Sequence, residues 1–467
     1  MTPDLKLFAA KSVAKLAQTG LALSKTGSGT SLPGKLALKC NPDLLKTLNN
    51  TLQLGFRLGI TGTNGKTTTA GLTAALLKSQ LGPDAMLVHN LLGANMKNGL
   101  TTTLLNAPTT ASAAILELDE ASLQGFVNDF KLDALLVSNL FRDQLDRYGE
   151  LDTTARMIAA GFPGVAQTLL LNADDPLVTH LAEAGQATGK QCLFYGIEAV
   201  TFPQASPTET PLTQTVPFPC ERINCPATGV PLTYSRQFYG HLGHYASPGL
   251  TRPRPQIMAT QVALGITGSE LQISLPNQTL SLQHPLPGLF NVYNLLAALA
   301  AVHTALGGRM LEVQALQNAL NAYTGVFGRA ECRIINGKTV RVFLIKNPVG
   351  ASEVIRLVAS DPTAPVVIAI NDHYADGRDV SWLWDAPFEW FAATQGPIFT
   401  AGERATDMSV RLKYAGVSPQ QLQCHPNVIE AINAALNTSA PGETLYVLPT
   451  YTVLLQLKQW LSQFPSA

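Results

Sequence analysis

The stretch LGITGTNGKTTTAGLTAALLKSQLG, residues 58–82, constrains what this chain can fold into more than any other. It opens apolar at Leu58 and Ile60, passes Gly62 and Gly65, reaches Lys66 and three threonines, and continues as an Ala/Leu-rich helical pattern. That order is strand, tight loop, helix. Glycines let the loop turn its N–H groups inward, and the helix that follows adds the positive end of its dipole, so an anion is favoured there. In a phosphate-binding loop of this kind Lys66 reaches the β- and γ-phosphates and the Thr67 hydroxyl sits on Mg²⁺. The pattern is incomplete, because Ile60 stands where its first glycine belongs. An ordinary turn before a core helix is the competing reading.

Apolar runs of strand length recur after the loop, at 84–90, 113–120, 132–140 and 166–176, with helical patterns between them. Such alternation predicts an α/β fold with a parallel sheet covered on both faces, and ligands at the C-terminal ends of its strands. Polar residues gather at those ends: Glu117 and Asp119 in LELDEASL, Asp143 and Asp146 in SNLFRDQLDRYGELD, and the run LNADDP at 171–176. If the first of these strands continues through Asp119, Glu117 and Asp119 share a face on which a carboxylate holds Mg²⁺ directly or through water. Helix capping accounts equally well for each stretch taken alone.

Between about 200 and 257 the texture turns Pro-, Thr- and aromatic-rich, which predicts an insertion. Residues 258–288 alternate between turn signals and predict a small antiparallel sheet. In GLFNVYNLLAALAA, which follows, Asn291 and Asn294 stand one helical turn apart, and an N-cap accounts for only one of them. A second α/β pattern then begins, with strands near 339–346, 365–371, 397–401 and 444–448. The expected division is a central domain over 1–325, carrying the insertion, and a smaller C-terminal α/β domain over 326–467.

Bulk properties narrow the function. The 467 residues suffice for about two to three domains, and 46% hydrophobic against 14% charged residues excludes general disorder. Lys plus Arg equals Asp plus Glu at 32 each, so the electrostatic footprint of a nucleic-acid binder is missing. Six scattered cysteines without a secretory signal argue for the cytoplasm and against a disulfide framework. The first 25 residues carry Lys11 and Lys15 inside their apolar pattern and are too interrupted to span a membrane. They read either as a surface helix packed on its own domain or as a basic amphipathic helix resting on a membrane.

Taken in order, Thr61 to Thr68, Glu117, DQLDRYG, LNADDP, FNVYNLLAA and FGRAE resemble the ATP-binding pattern of the Mur ligase family, which forms amide bonds through acyl phosphates. LIKNPVGASEVI, INDHYADGRDVSWLWD and TAGERATDMSVRLKYAG resemble one branch of it. In that branch a ligase-like subunit works with a GatD-type glutaminase to convert the α-carboxylate of D-glutamate in lipid II to the amide. The resemblance covers roughly residues 35–460 and implies a Mur-type ATPase domain, ATP and Mg²⁺ as cofactors, and a cytoplasmic place near the inner face of the membrane. It implies that Thr63, Asn64, Gly65, Lys66, Thr67 and Thr68 hold the phosphates, and that Thr67 and Glu117 hold Mg²⁺. It further implies that Asn291 and Arg329 contact the nucleotide, with Asn294 beside them, and that Lys66 neutralises charge as the phosphoryl group moves.

Cys332 and Cys424 lack a nucleophile context, so the resemblance leaves ammonia to the partner. An aspartate of the C-terminal domain would orient the histidine of the partner's Cys–His pair. Of Asp372, Asp376, Asp379 and Asp385, the favoured candidate is Asp379, flanked by Arg378 and Trp382, with Asp376 second.

The chain departs from the family in several places. Relatives in this branch carry a four-cysteine zinc ribbon in the insertion, whereas CERINC spaces Cys220 and Cys225 by four residues and the second cysteine pair is absent. His241 and His244 make a Cys₂His₂ site arithmetically possible, but a ribbon held by packing without zinc is the favoured reading. Only about 55 residues precede the loop strand, too few for a separate UDP-sugar-binding domain, so a lipid-linked substrate is expected. No lysine lies between Lys131 and Lys190 to match the carbamylated lysine of several relatives. Two other readings stay open: an ATP-dependent ligase that adds an amino acid rather than ammonia, as folylpolyglutamate synthase does, and a nucleotide-binding scaffold without chemistry.

Overall fold

The computed structural model describes residues 3–24, 31–90, 94–142, 151–201, 224–323 and 329–465. Seven parallel strands lie side by side in the order Leu87–His89, Ala113–Glu117, Arg57–Thr61, Leu132–Val137, Val165–Asn172, Gln191–Ile197 and Ile257–Leu264. The central strands are mostly apolar because both faces are covered. Ala113 and Ile115 join one core with Leu72 and Leu76 of the helix Lys66–Leu81 and with Leu295 and Leu299 of the helix Leu289–Ala305. Ala114 and Leu116 point the other way, into a core with Leu100, Leu104, Phe126 and Phe130. Gly59 belongs to this crowding, since a Cβ there would meet the Cδ1 atoms of Leu118 and Leu132 at 2.6 Å.

Strand order decides where a ligand can sit. The strand Arg57–Thr61 has Ala113–Glu117 on one side and Leu132–Val137 on the other, so the connections diverge there and leave a crevice at its C-terminal end. The loop after Thr61 opens into that crevice.

The small sheet expected over 258–288 is instead an edge of the main sheet. Ile257–Ala259 pair in parallel with Tyr195–Ile197, and the strands Ser269–Leu275 and Gln278–His284 then add antiparallel on the outside. Tight turns set the meander, and prior pairing of its first strand sets where it grows. The described part of the insertion forms a three-stranded antiparallel sheet, Thr233–Tyr239, Leu242–Ser247 and Leu250–Thr251.

A second sheet, with six strands, begins at Arg329. Arg329–Ile335 pairs antiparallel with Lys338–Phe343, and Thr444–Pro449, Val366–Ala369, Ile398–Ala401 and Leu422–Cys424 follow in parallel. Near the N-terminus the helix Pro3–Ser24 buries Ala10 and Ala14, one turn apart, against Leu44, Leu45 and Leu48. It is a surface helix packed on its own domain, with Lys11 and Lys15 outward. Among the described residues no helix is long and apolar enough to cross a membrane.

Candidate active site

The loop Gly62–Gly65 is held in shape from below. Gly62 (φ 119°) and Gly65 (φ 87°) occupy left-handed conformations that favour glycine. A Cβ on Gly62 would lie 2.4 Å from Ser138 Oγ, and one on Gly65 would lie 2.1 Å from Asn294 Oδ1. The neighbouring strand end ties the loop down: Thr63 N donates to Asn139 O and Asn64 N to Asn139 Oδ1, both at 2.9 Å. Thr63 Oγ1 donates to Phe141 O and accepts from Phe141 N, both at 3.0 Å. The first turn of the helix Lys66–Leu81 then presents amides that have no intrahelical partner, at the positive end of the helix dipole.

Two acids, Glu120 and Glu117, stand at the strand end beside the loop. Lys66 Nζ lies 2.7 Å from Glu120 Oε1 and also donates to Gly62 O, while Glu120 accepts Gly62 N at 3.2 Å. Glu117 ends its strand 4% exposed, with Oε1 accepting from Asn95 at 3.0 Å and Oε2 buried without a hydrogen-bond partner. Asn90 fixes the Glu117 backbone through both its N–H and its C=O, each at 2.9 Å. A buried carboxylate oxygen left without a donor fits a cation. The expectation that Asp119 shares a strand face with Glu117 is not met: the strand stops at Glu117, and Asp119 caps the helix Glu120–Val127 through Ala121 N. Among the described residues no three His, Cys, Asp or Glu side chains converge. A metal here would rest on Glu117 and the half-buried Thr67 at most, with its other ligands from outside the protein, as Mg²⁺ accepts.

On the far side of the loop Asn294 lines the crevice with Gly65 and the buried Thr68. Thr69 Oγ1 donates to Asn294 Oδ1 (3.3 Å), Asn294 Nδ2 to Asn291 Oδ1 (3.2 Å), and Asn291 Nδ2 to Pro287 O (2.8 Å). Asn291 therefore stands behind Asn294 and holds it. Arg329 opens the first strand of the second sheet opposite Phe343, itself a crevice residue.

The second sheet supplies the other wall of a cleft of about 100 Å³. Asn347 caps the helix Pro348–Ala359 by accepting Gly350 N at 2.8 Å, and its Nδ2 donates to Asn64 Oδ1 at 3.1 Å. Lys346, Gly350 and the buried Glu353 line the cleft beside Asn64 and Gly65. Sequence reasoning missed Glu120, Asn139, Asn347 and Glu353. LELDEASL signalled an excess of acids, and the NPVG segment is a cap-plus-proline helix start, but neither points to the loop without the fold.

The aspartates of the second sheet separate clearly. Asp376 is buried and committed, with Oδ1 accepting Thr452 N (2.7 Å) and Oδ2 accepting Thr452 Oγ1 (2.5 Å) and His373 N (3.2 Å). Asp379 is exposed and accepts Ser381 N at 2.8 Å. The Ser381 hydroxyl and amide, with Arg142 nearby, hold its carboxyl below the ordinary value. Asp385 pairs with Arg142, and Asp372 lies 3.8 Å from Arg404.

LNADDP is a brace rather than a site. Asp175 caps the helix Pro176–Ala187 and accepts Leu140 N at 2.8 Å. Asp174 receives Arg252 Nε at 2.6 Å, Tyr293 OH at 2.7 Å and Ile197 N at 2.8 Å. In the insertion, Cys225 is buried, His244 Nε2 lies 2.8 Å from Ile197 O, and His241 is buried against the Phe141 ring and 3.4 Å from Asp175. Cys220, Asp143 and Asp146 lie outside the described residues, as does the side chain of Arg329.

Two family models match the chain, the Mur ligase middle domain over residues 60–223 and the MurT ligase C-terminal domain over 344–454. The MurT subunit of the glutamine-hydrolyzing lipid II isoglutaminyl synthase from Streptococcus pneumoniae R6 is 32% identical over 447 residues, 94% of each protein. The chain belongs to the MurT family. The MurT subunit of Staphylococcus aureus COL is 31% identical, over 93% of each protein. Among solved structures, the pseudomurein peptide ligase type C of Methanothermus fervidus superposes with a TM-score of 0.67 at 20% identity, covering 90% of this MurT-family chain and 81% of the ligase. That likeness is one of fold.

Proposed function

We propose that this chain is the ligase subunit of an amidotransferase acting on lipid II. It uses ATP to activate the α-carboxylate of D-glutamate in the peptide stem as an acyl phosphate, which ammonia from a GatD-type glutaminase converts to the amide. The observation that carries this reading is the likeness to MurT subunits along almost the whole length of both chains. The loop amides from Gly65 to Thr68 bind the phosphates, with Thr63 and Asn64 holding the loop's shape and Lys66 neutralising charge as it moves. Thr67 and Glu117 are the residues that would hold Mg²⁺, which supplies charge neutralisation at the transferring phosphoryl group. Asn294 and Arg329 contact the nucleotide, and Asn291 positions Asn294.

Residues 1–325 form the nucleotide domain and 326–467 the partner-facing domain. Asp379 serves the partner's histidine; its exposure supports it over Asp376, whose oxygens are both engaged inside the fold. The insertion holds its shape by packing, and one tightly bound zinc per chain on metal analysis would refute that. The substrate places the complex at the inner face of the membrane.

The decisive experiment incubates the chain with a GatD-type glutaminase, ATP, glutamine and lipid II, and follows phosphate release together with the mass of the lipid. An ATP-dependent fall in mass equal to the OH-to-NH₂ difference is expected. ATP turnover with unchanged lipid overturns the substrate, and no turnover under any condition overturns the enzyme.

A further inference from the structure

Among the described residues Glu353 is the one acid lining the cleft wall supplied by the second sheet, and the mechanism above leaves it unused. It is 3% exposed. Its Oε2 takes the Arg356 guanidinium, one turn on, and Arg356 is also anchored to Phe238 O at 3.2 Å. Its Oε1 is buried without a hydrogen-bond partner. A carboxylate kept only for an ion pair has no reason to leave an oxygen unsatisfied, because an unpaired buried acceptor is destabilising. The same cleft is lined by Asn64, Gly65 and Thr68 of the phosphate-binding loop. Glu353 therefore brings a buried carboxylate with one unsatisfied oxygen to the wall of the cleft that the phosphate-binding loop also lines.

We infer that Glu353 is the base that takes a proton from ammonium at the ligase site, so that the nucleophile meets the acyl phosphate as uncharged ammonia. This rests on the ligase reading above. In the step, NH₄⁺ gives one proton to the Glu353 carboxylate and becomes NH₃. The nitrogen lone pair forms the C–N bond, the C–O bond to phosphate breaks with its electron pair on oxygen, and the surplus nitrogen proton leaves on the phosphate as HPO₄²⁻. Glu353 then releases its proton to solvent. Burial pushes the Glu353 carboxyl up to about 7 against the opposing pull of Arg356, which suits a base working near neutrality. Among the described residues the other titratable groups lining the cleft are Tyr239 from the insertion sheet and Lys346 from the turn after the strand Lys338–Phe343.

The test uses the complex with its glutaminase, lipid II and ATP, with either subsaturating ammonium or hydroxylamine as nucleophile. Hydroxylamine is already uncharged at neutral pH and needs no base, so it reports acyl phosphate formation as hydroxamate. Glu353→Gln should lose roughly a hundredfold of ammonium-driven amidation at pH 7 and keep hydroxamate formation. Its amidation should climb tenfold per pH unit as free ammonia increases. The wild type, which needs no substitution to be tested, should level off above about pH 7. A variant that amidates like wild type, a folded variant that loses both products equally, or a wild-type rate that keeps climbing tenfold per unit overturns the inference. A wild type that forms neither product overturns the ligase reading itself.

Discussion

Replacing Gly65 by alanine should cost far less once Asn294 is gone. Alanine at a left-handed position costs about 1–2 kcal/mol. Its Cβ would also lie 2.1 Å from Asn294 Oδ1, so Asn294 must swing away and give up its bonds to Thr69 and Asn291. Two such buried side-chain bonds contribute about 2 kcal/mol together. Gly65→Ala is thus expected to destabilise by roughly 3–4 kcal/mol and Asn294→Ala by roughly 2 kcal/mol. In the double variant no amide remains to be displaced, and the total should stay at roughly 3–4 kcal/mol instead of the additive 5–6, a coupling of about 2 kcal/mol. Urea unfolding of the four proteins, read from the same transition, measures this. Additivity within about 0.5 kcal/mol would show that Asn294 is not what meets the new methyl group.

Further outcomes follow from the same geometry. Lys66→Ala should abolish ATP-dependent amidation while the glutaminase partner stays bound, checked by product mass and size-exclusion chromatography; intact activity would favour a scaffold. Asp379→Asn should lower glutamine-driven amidation and spare ammonium-driven amidation, and a parallel fall in both would remove Asp379 from the partner's triad. Asp376→Ala should instead lower the melting temperature, since it strands Thr452 and His373 N–H groups. Arg252→Met leaves Asp174 buried without its cation, at a cost of about 3 kcal/mol near neutral pH. Burial already raises the Asp174 carboxyl above its ordinary value, so the folded state binds its proton more readily than the unfolded chain does. The penalty is therefore present above the folded value and shrinks as pH falls toward the ordinary carboxylate range, so the variant's deficit in melting temperature should narrow on acidification.

The strand, loop and helix of residues 57–81, the parallel sheet and the second α/β unit were all legible in the sequence, because hydrophobic period, glycines and strand-end polar residues are local signals. So was Glu117, which ends its strand where the pattern places it. Local signals could not tell a cap from a ligand. Asp119 and Asp175 cap helices, Asp174 neutralises Arg252, and Glu120 goes to Lys66, although all four read alike as acids after an apolar run. The difference is made by which atoms lie opposite, and those come from residues up to 119 positions away, as Tyr293 does for Asp174. Only tertiary structure decided that the NPVG turn meets the loop, that Asn291 serves Asn294, and that Glu353 keeps an oxygen empty. Each depends on the second sheet or the buried helix docking against the loop, and burial turns such an approach into a fixed, desolvated contact that no sequence period records.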